Sequence, residues 1–137
     1  MTFTVKTLVQ APMNTVWSCW TEPAHIVHWN QASADWHTPR ATNDLRPDGH
    51  FSYTMAARDG SMSFDFAGTY TEVVHAARIV YAMEDARKVE VIFEATDAGV
   101  EVTEIVEPET LNPVELQQSG WQAILDNFRQ YTEQVAA

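Results

Sequence analysis

Between Ala41 and Glu107 the sequence repeats one pattern, in which short runs of alternating apolar residues are broken by turn-forming residues, and this leaves little but an antiparallel meander. Phe51, Tyr53 and Met55 make the first set. Met62, Phe64, Phe66, Gly68 and Tyr70 follow, then Ile79, Tyr81 and Met83, then Val89, Val91 and Phe93. Each set alternates with smaller or charged residues, as in a strand with one buried face. Pro47-Asp48-Gly49 and Arg58-Asp59-Gly60-Ser61 have the chemistry of turns between neighbouring strands. So do His75-Ala76-Ala77, Glu84-Asp85-Ala86 and Asp97-Ala98-Gly99, more weakly where glycine is missing. With Phe3, Val5, Thr7 and Val9 alternating near the N-terminus, six to seven strands are expected.

A sheet with one apolar face needs a cover. Ala11-Pro12 opens a short helix with the stripe Met13, Val16, Trp17 and Trp20, because proline suits the first helical position. Pro23 opens a second helix, Ala24 to Trp29, after which the chain runs irregularly to about Arg40. Near the C-terminus, Asn112, Pro113 and Glu115 predict a capping box at the start of a helix from Pro113 to about Val135. Such a helix is about 35 Å long. Trp121, Ile124, Leu125, Phe128, Tyr131 and Val135 share one of its faces, which must cover the sheet. The expected class is α+β: a curved antiparallel sheet around a long C-terminal helix, with two short helices after the first strand, as a single domain over residues 1–137.

Eight lysines and arginines against nineteen aspartates and glutamates give a formal charge of −11, and the few bases are scattered. No basic stripe exists to neutralise phosphates, so neither nucleic acid nor an anionic membrane is an expected partner. Cys19 is the single cysteine, which excludes an intrachain disulfide. No apolar run approaches a membrane span, and the N-terminal residues read as a strand rather than a secretory signal. A cytoplasmic location is expected.

Four blocks in order carry a family resemblance. They are Ala11-Pro12 with Val16-Trp17, Trp20, Pro23 and Trp29; Asp44, Arg46-Pro47, Gly49 and Phe51; Phe66, Gly68, Tyr70 and Glu72-Val73; and Gly120-Trp121, Leu125 and Phe128. Over nearly its whole length the chain resembles the heat-shock-protein-90 ATPase-activator-like proteins, part of the START-like (SRPBCC, polyketide cyclase/dehydrase-like) superfamily. The resemblance implies a helix-grip fold with a cavity between sheet and helix. It says less about chemistry, since the superfamily spans co-chaperone domains of the stress response, lipid carriers, hormone receptors, cyclases and oxygenases. The chain shows no convincing His/His/carboxylate iron site, which sets the oxygenase branch aside.

Aromatic residues make up 11% of the chain and many fall on the inward sets. Core filling accounts for any one of them, but buried tyrosine hydroxyls need partners, which suits a cavity wall better than a dry core. The predicted ligand-binding residues are Tyr53, Phe64, Phe66, Tyr81, Phe93, Gln117, Trp121 and Leu125. Gln117 continues the helical stripe one turn before Trp121, and Gly120 beside that tryptophan marks close packing or empty space. On the last strand Val100, Val102 and Val106 alternate, which puts Glu104 on their face as a candidate acid or base. The opposite register, with Ile105 inward, reads equally well.

His25 and His28, near Asp35 and His37, have spacing that a metal site could use, but two histidines three apart recur by chance, and no metal or cofactor is expected. His50 reads as outward-facing and Cys19 as a packed thiol without a base. Asp44 and Arg46 read as structural, and Gly49 as a residue permitting positive φ after its turn. Neither a Ser-His-Asp order nor a nucleotide fingerprint is present. The expected function is non-enzymatic binding of a small apolar or aromatic ligand. The alternatives are a cyclase- or dehydratase-like enzyme using Glu104 and a chaperone-interacting module; a chaperone contact and a homodimer stay open.

Overall fold

Alternation becomes burial in the computed structural model, which describes residues 1–137. The strands are β1 (Phe3–Val9), β2 (Trp36–Asn43), β3 (His50–Ala57), β4 (Ser63–Val74), β5 (Arg78–Met83), β6 (Lys88–Thr96) and β7 (Gly99–Val106). Along β5 and β7 every second residue is buried. The strands form one sheet in the order β1-β7-β6-β5-β4-β3-β2, with all neighbours antiparallel. Register breaks between His37 and Arg40 on β2 and between Tyr70 and Glu72 on β4 disturb the ladders. Such bulges bend a strand and increase its twist, which helps the sheet curl.

The helices are α1 (Met13–Thr21), α2 (Pro23–Trp29) and α3 (Val114–Ala136). α1 and α2 carry the chain from the β1 edge of the sheet to its β2 edge. α3 lies against β1, α1 and α2, inside the curl of the sheet, and this is the helix-grip arrangement. Phe128 is fully buried and meets the rings of Trp20 and Trp29 edge-on at 4.8 and 4.9 Å. No helix is long and apolar enough to cross a membrane.

Three local expectations are corrected. The stretch expected to run irregularly to Arg40 is a strand from Trp36 onwards. Pro39 hides its alternation, and the strand tolerates proline because β2 is an edge paired only with β3. Gly49 is not the turn residue with positive φ; Asp48 takes that conformation, at 67°. Gly49 is needed for close approach, since a Cβ there would sit 2.0 Å from the carbonyl oxygen of Asp44.

The capping box at α3 does not form. Pro113 is the N-cap, and no side chain caps the helix. The Asn112 side chain instead donates to Glu109 Oε1 at 2.9 Å. Gln117 secures the helix start: its Nε2 donates to the carbonyls of Glu109 and Asn112 at 3.0 and 2.9 Å, and its Oε1 accepts from the Glu109 N–H at 2.9 Å.

Candidate ligand-binding cavity

Between the concave face of the sheet and α3 lies a cavity of about 200 Å³ lined by 14 residues, 12 of them hydrophobic. The fold builds it from distant parts of the chain. β3, β4 and β5 supply Phe51, Tyr53, Phe66, Tyr70, Ile79 and Tyr81 on one wall, and α3 supplies Trp121 and Ile124 on the other. Trp20, Trp29 and Asn30 close one end. Met55 and Phe64 complete the apolar lining; Phe64 is 49% exposed and packs on Trp36, so it stands at the mouth. The rings interlock, with Phe51 and Tyr81 centred 4.9 Å apart and Phe66 meeting Trp121 at 6.0 Å.

Polar groups in this lining are few and placed. The Tyr70 hydroxyl donates to Asn43 Oδ1 at 2.5 Å, and burial pushes its pKa to about 12. Burial likewise raises Tyr53 and Tyr81 well above the ordinary phenol value, so all three are neutral hydroxyls. Glu104 is the single carboxyl. It is 4% exposed, on the inward face of β7 with Val100, Val102 and Val106, and stands between Val5 of β1 and Val91 of β6. Of the two registers open from sequence, the structure adopts the one with Glu104 inward. Burial alone pushes its carboxyl to about 8, so at neutral pH it is mostly protonated.

Five residues expected at the site meet there: Tyr53, Phe64, Phe66, Tyr81 and Trp121. Three do not. Phe93 packs on Trp17 at 5.2 Å and on the lining residue Trp20 at 5.7 Å, and does not itself line the cavity. Leu125 is fully buried in the core; Trp121 and Ile124 are the α3 residues that face the cavity. Gln117 is committed to the helix start. The spacing of the stripe on α3 could not separate its cavity side from its core side. Phe51, Met55, Tyr70 and Ile79 carried a usable signal, since all lie on the alternating inward sets, and Trp20 lies on the stripe of α1. Asn30 carried none.

The remaining candidates disperse. His25 Nδ1 is 2.6 Å from the Tyr131 hydroxyl and His28 stacks on the same ring. No group of three or more His, Cys, Asp or Glu side chains is placed to hold a metal ion. Asp44 and Arg46 pair with each other at 2.9 Å, and His50 meets Thr69 at the surface at 3.0 Å. Cys19 is fully buried, and burial raises its thiol pKa, which makes it a poor nucleophile. A Cβ on Gly120 would have no neighbour within 4 Å, so Gly120 marks empty space rather than close packing. Gly120→Ala is therefore expected to stabilise the protein by about 0.5–1 kcal/mol, read from its urea midpoint; a loss would reveal a contact hidden at this turn.

A family model described as Activator of Hsp90 ATPase homolog 1-like protein matches residues 10–133. Among solved structures, the AHSA1-like protein from Aeromonas hydrophila is 41% identical, with a TM-score of 0.93 over 98% of this chain and 94% of that one. A protein from Cytophaga hutchinsonii is 51% identical, with a TM-score of 0.80 over 98% and 92% of the two chains. A protein from Nitrosomonas europaea shares the fold at 21% identity, with a TM-score of 0.83 over 98% and 96%. A comparison with curated proteins gives no match.

Proposed function

The chain belongs to the Activator of Hsp90 ATPase homolog 1-like family, and from the cavity at its centre we propose that it binds a small, largely apolar or aromatic molecule between sheet and C-terminal helix. The observation that carries this reading is a cavity of about 200 Å³ with 12 hydrophobic residues among its 14. An apolar cavity of about 150 Å³ is enough for benzene, so the volume fits one ring with a short substituent. Burying roughly 200 Å² of such a ligand at about 25 cal/mol per Å² yields about 5 kcal/mol before the costs of association. Apolar burial alone therefore supports an affinity in the millimolar range, and tighter binding needs polar contacts in addition.

Trp20, Trp29 and Trp121 line the cavity, so a bound ligand is expected to change tryptophan emission and raise the melting temperature. Ile124→Trp, which fills the space, is expected to weaken binding by at least about tenfold in a fold that stays intact. A screen of phenols, lipids and polyketide-like compounds without saturable binding would remove the reading.

Glu104 supports a second one. A buried carboxyl that keeps its proton near neutral pH can serve as a general acid, as a cyclase- or dehydratase-like enzyme requires. Turnover that Glu104→Gln abolishes without weakening ligand binding is the result this reading needs. A chaperone contact is carried by the family's name alone, and stimulation of a purified heat-shock-protein-90 ATPase by the chain tests it.

A further inference from the structure

The cavity contains one group that the fold does not use. Glu104 is 4% exposed and lines the cavity, and no hydrogen bond or charged neighbour within the protein compensates its burial. The elements around it bring no counter-charge: beside it β1 presents Val5 and β6 presents Val91, while α3 lines the same cavity with Trp121 and Ile124. The tyrosines Tyr53, Tyr70 and Tyr81 are the other titratable groups of the cavity, and Tyr81 is the one on which the charge of Glu104 acts. Arg87 also acts on Tyr81, but its guanidinium is held by Asp85 at 2.6 Å. No lysine, arginine or histidine lines the cavity.

This arrangement discriminates between ligand charges. An anion would enter an apolar space that offers no cation and already contains a carboxyl, so its desolvation would go uncompensated. A cation would meet a potential counter-ion and the faces of aromatic rings, which attract positive charge. The formal charge of −11 favours the approach of cations as well. Resting on the reading of the cavity as a ligand site, we propose that it selects a small monocation, one ring bearing an ammonium group on a short chain, with Glu104 as the counter-ion.

The proton balance follows. In the free protein the Glu104 carboxyl keeps its proton up to about pH 8. When the ammonium ion binds with all its protons, the carboxyl gives up its own to solvent, and a carboxylate–ammonium pair remains. Well below about pH 8 binding should therefore release close to one proton per ligand, falling to about half a proton near pH 8, and affinity should rise with pH across that range.

Titration calorimetry of the full chain with 2-phenylethylamine, 2-phenylethanol and phenylacetate tests this, run in two buffers of different ionisation enthalpy between about pH 6 and about pH 8. The amine is expected to bind at least about tenfold more tightly than the alcohol, with close to one proton released at about pH 6 and about half a proton near pH 8, and phenylacetate not to bind. Glu104→Gln should abolish the amine's advantage while the alcohol still binds. Proton release by the unmodified protein does not depend on that variant folding. Equal binding of amine and alcohol, absence of proton release, or an amine preference that survives Glu104→Gln would each overturn the inference and leave the ligand cavity standing. If none of the three probes binds, nor any compound of the wider screen, both readings fall.

Discussion

Replacing Glu104 with glutamine is expected to remove a loss of stability that the protein otherwise suffers between about pH 4.5 and about pH 8. The folded carboxyl is raised above its unfolded value by burial, so the folded state binds more protons than the unfolded state across that window. Stability is thus complete below about pH 4.5 and declines as pH rises through about 8. At about 1.4 kcal/mol for each pH unit, the loss is of order 3 kcal/mol at neutral pH and of order 5 kcal/mol once the group is fully ionised. The carboxyls of Asp59, Asp85 and Glu109 do not disturb this window. Hydrogen bonds from Ser61, Arg87 and Leu111 hold them below their ordinary values, so their contribution is lost only in more acidic solution. Urea unfolding of the protein and of Glu104→Gln across this pH series should show curves that diverge as pH rises. Parallel curves would mean that Glu104 is solvated in the folded protein, and the reasoning built on its burial would fail with it.

Phe128→Ala should be among the most damaging single truncations in the core, at about 3–5 kcal/mol. The ring is fully buried and touches both Trp20 and Trp29 in edge-on geometry, a contact worth somewhat more than its area alone. It joins α3 to α1 and α2, so its removal should loosen the helix that forms one wall of the cavity. Phe64→Ala offers the contrast. That ring is 49% exposed at the mouth, and its loss should cost less than about 1 kcal/mol while changing ligand exchange. Chemical denaturation of the two variants measures the difference. A cost below about 1 kcal/mol for Phe128→Ala would show that the core around it collapses freely, contrary to the packing described.

Much of the fold was legible because its signals are local. Alternation at Phe51, Tyr53 and Met55 or at Ile79, Tyr81 and Met83 reports one face of a strand whatever its neighbours do, and the turn residues between the sets fall between strands in the structure, except Gly99, which opens β7. Where a residue serves two roles the local signal failed. Pro39 masked the start of β2, and Asn112 and Glu115 had the spacing of a cap, yet Asn112 is drawn away by Glu109. Gln117 had the phase of a cavity residue, but its amide is taken up by the carbonyls of Glu109 and Asn112 in the segment before α3.

The sequence by itself determined an antiparallel meander closed by a long amphipathic helix, because periods of two and of 3.6 residues follow from backbone geometry alone. It also determined an aromatic inward face, and the resemblance placed the chain in its family. Only the tertiary structure decided where that face is packed solid and where it stays open. Leu125 and Phe93 went to the core and Ile124 to the cavity, although all three lie on apolar faces. A cavity is a failure of distant elements to meet, and no local pattern records such distances. The same holds for Glu104: either register was open along the strand, and the pairing of β7 with β1 and β6 chose the one that turns its carboxyl inward.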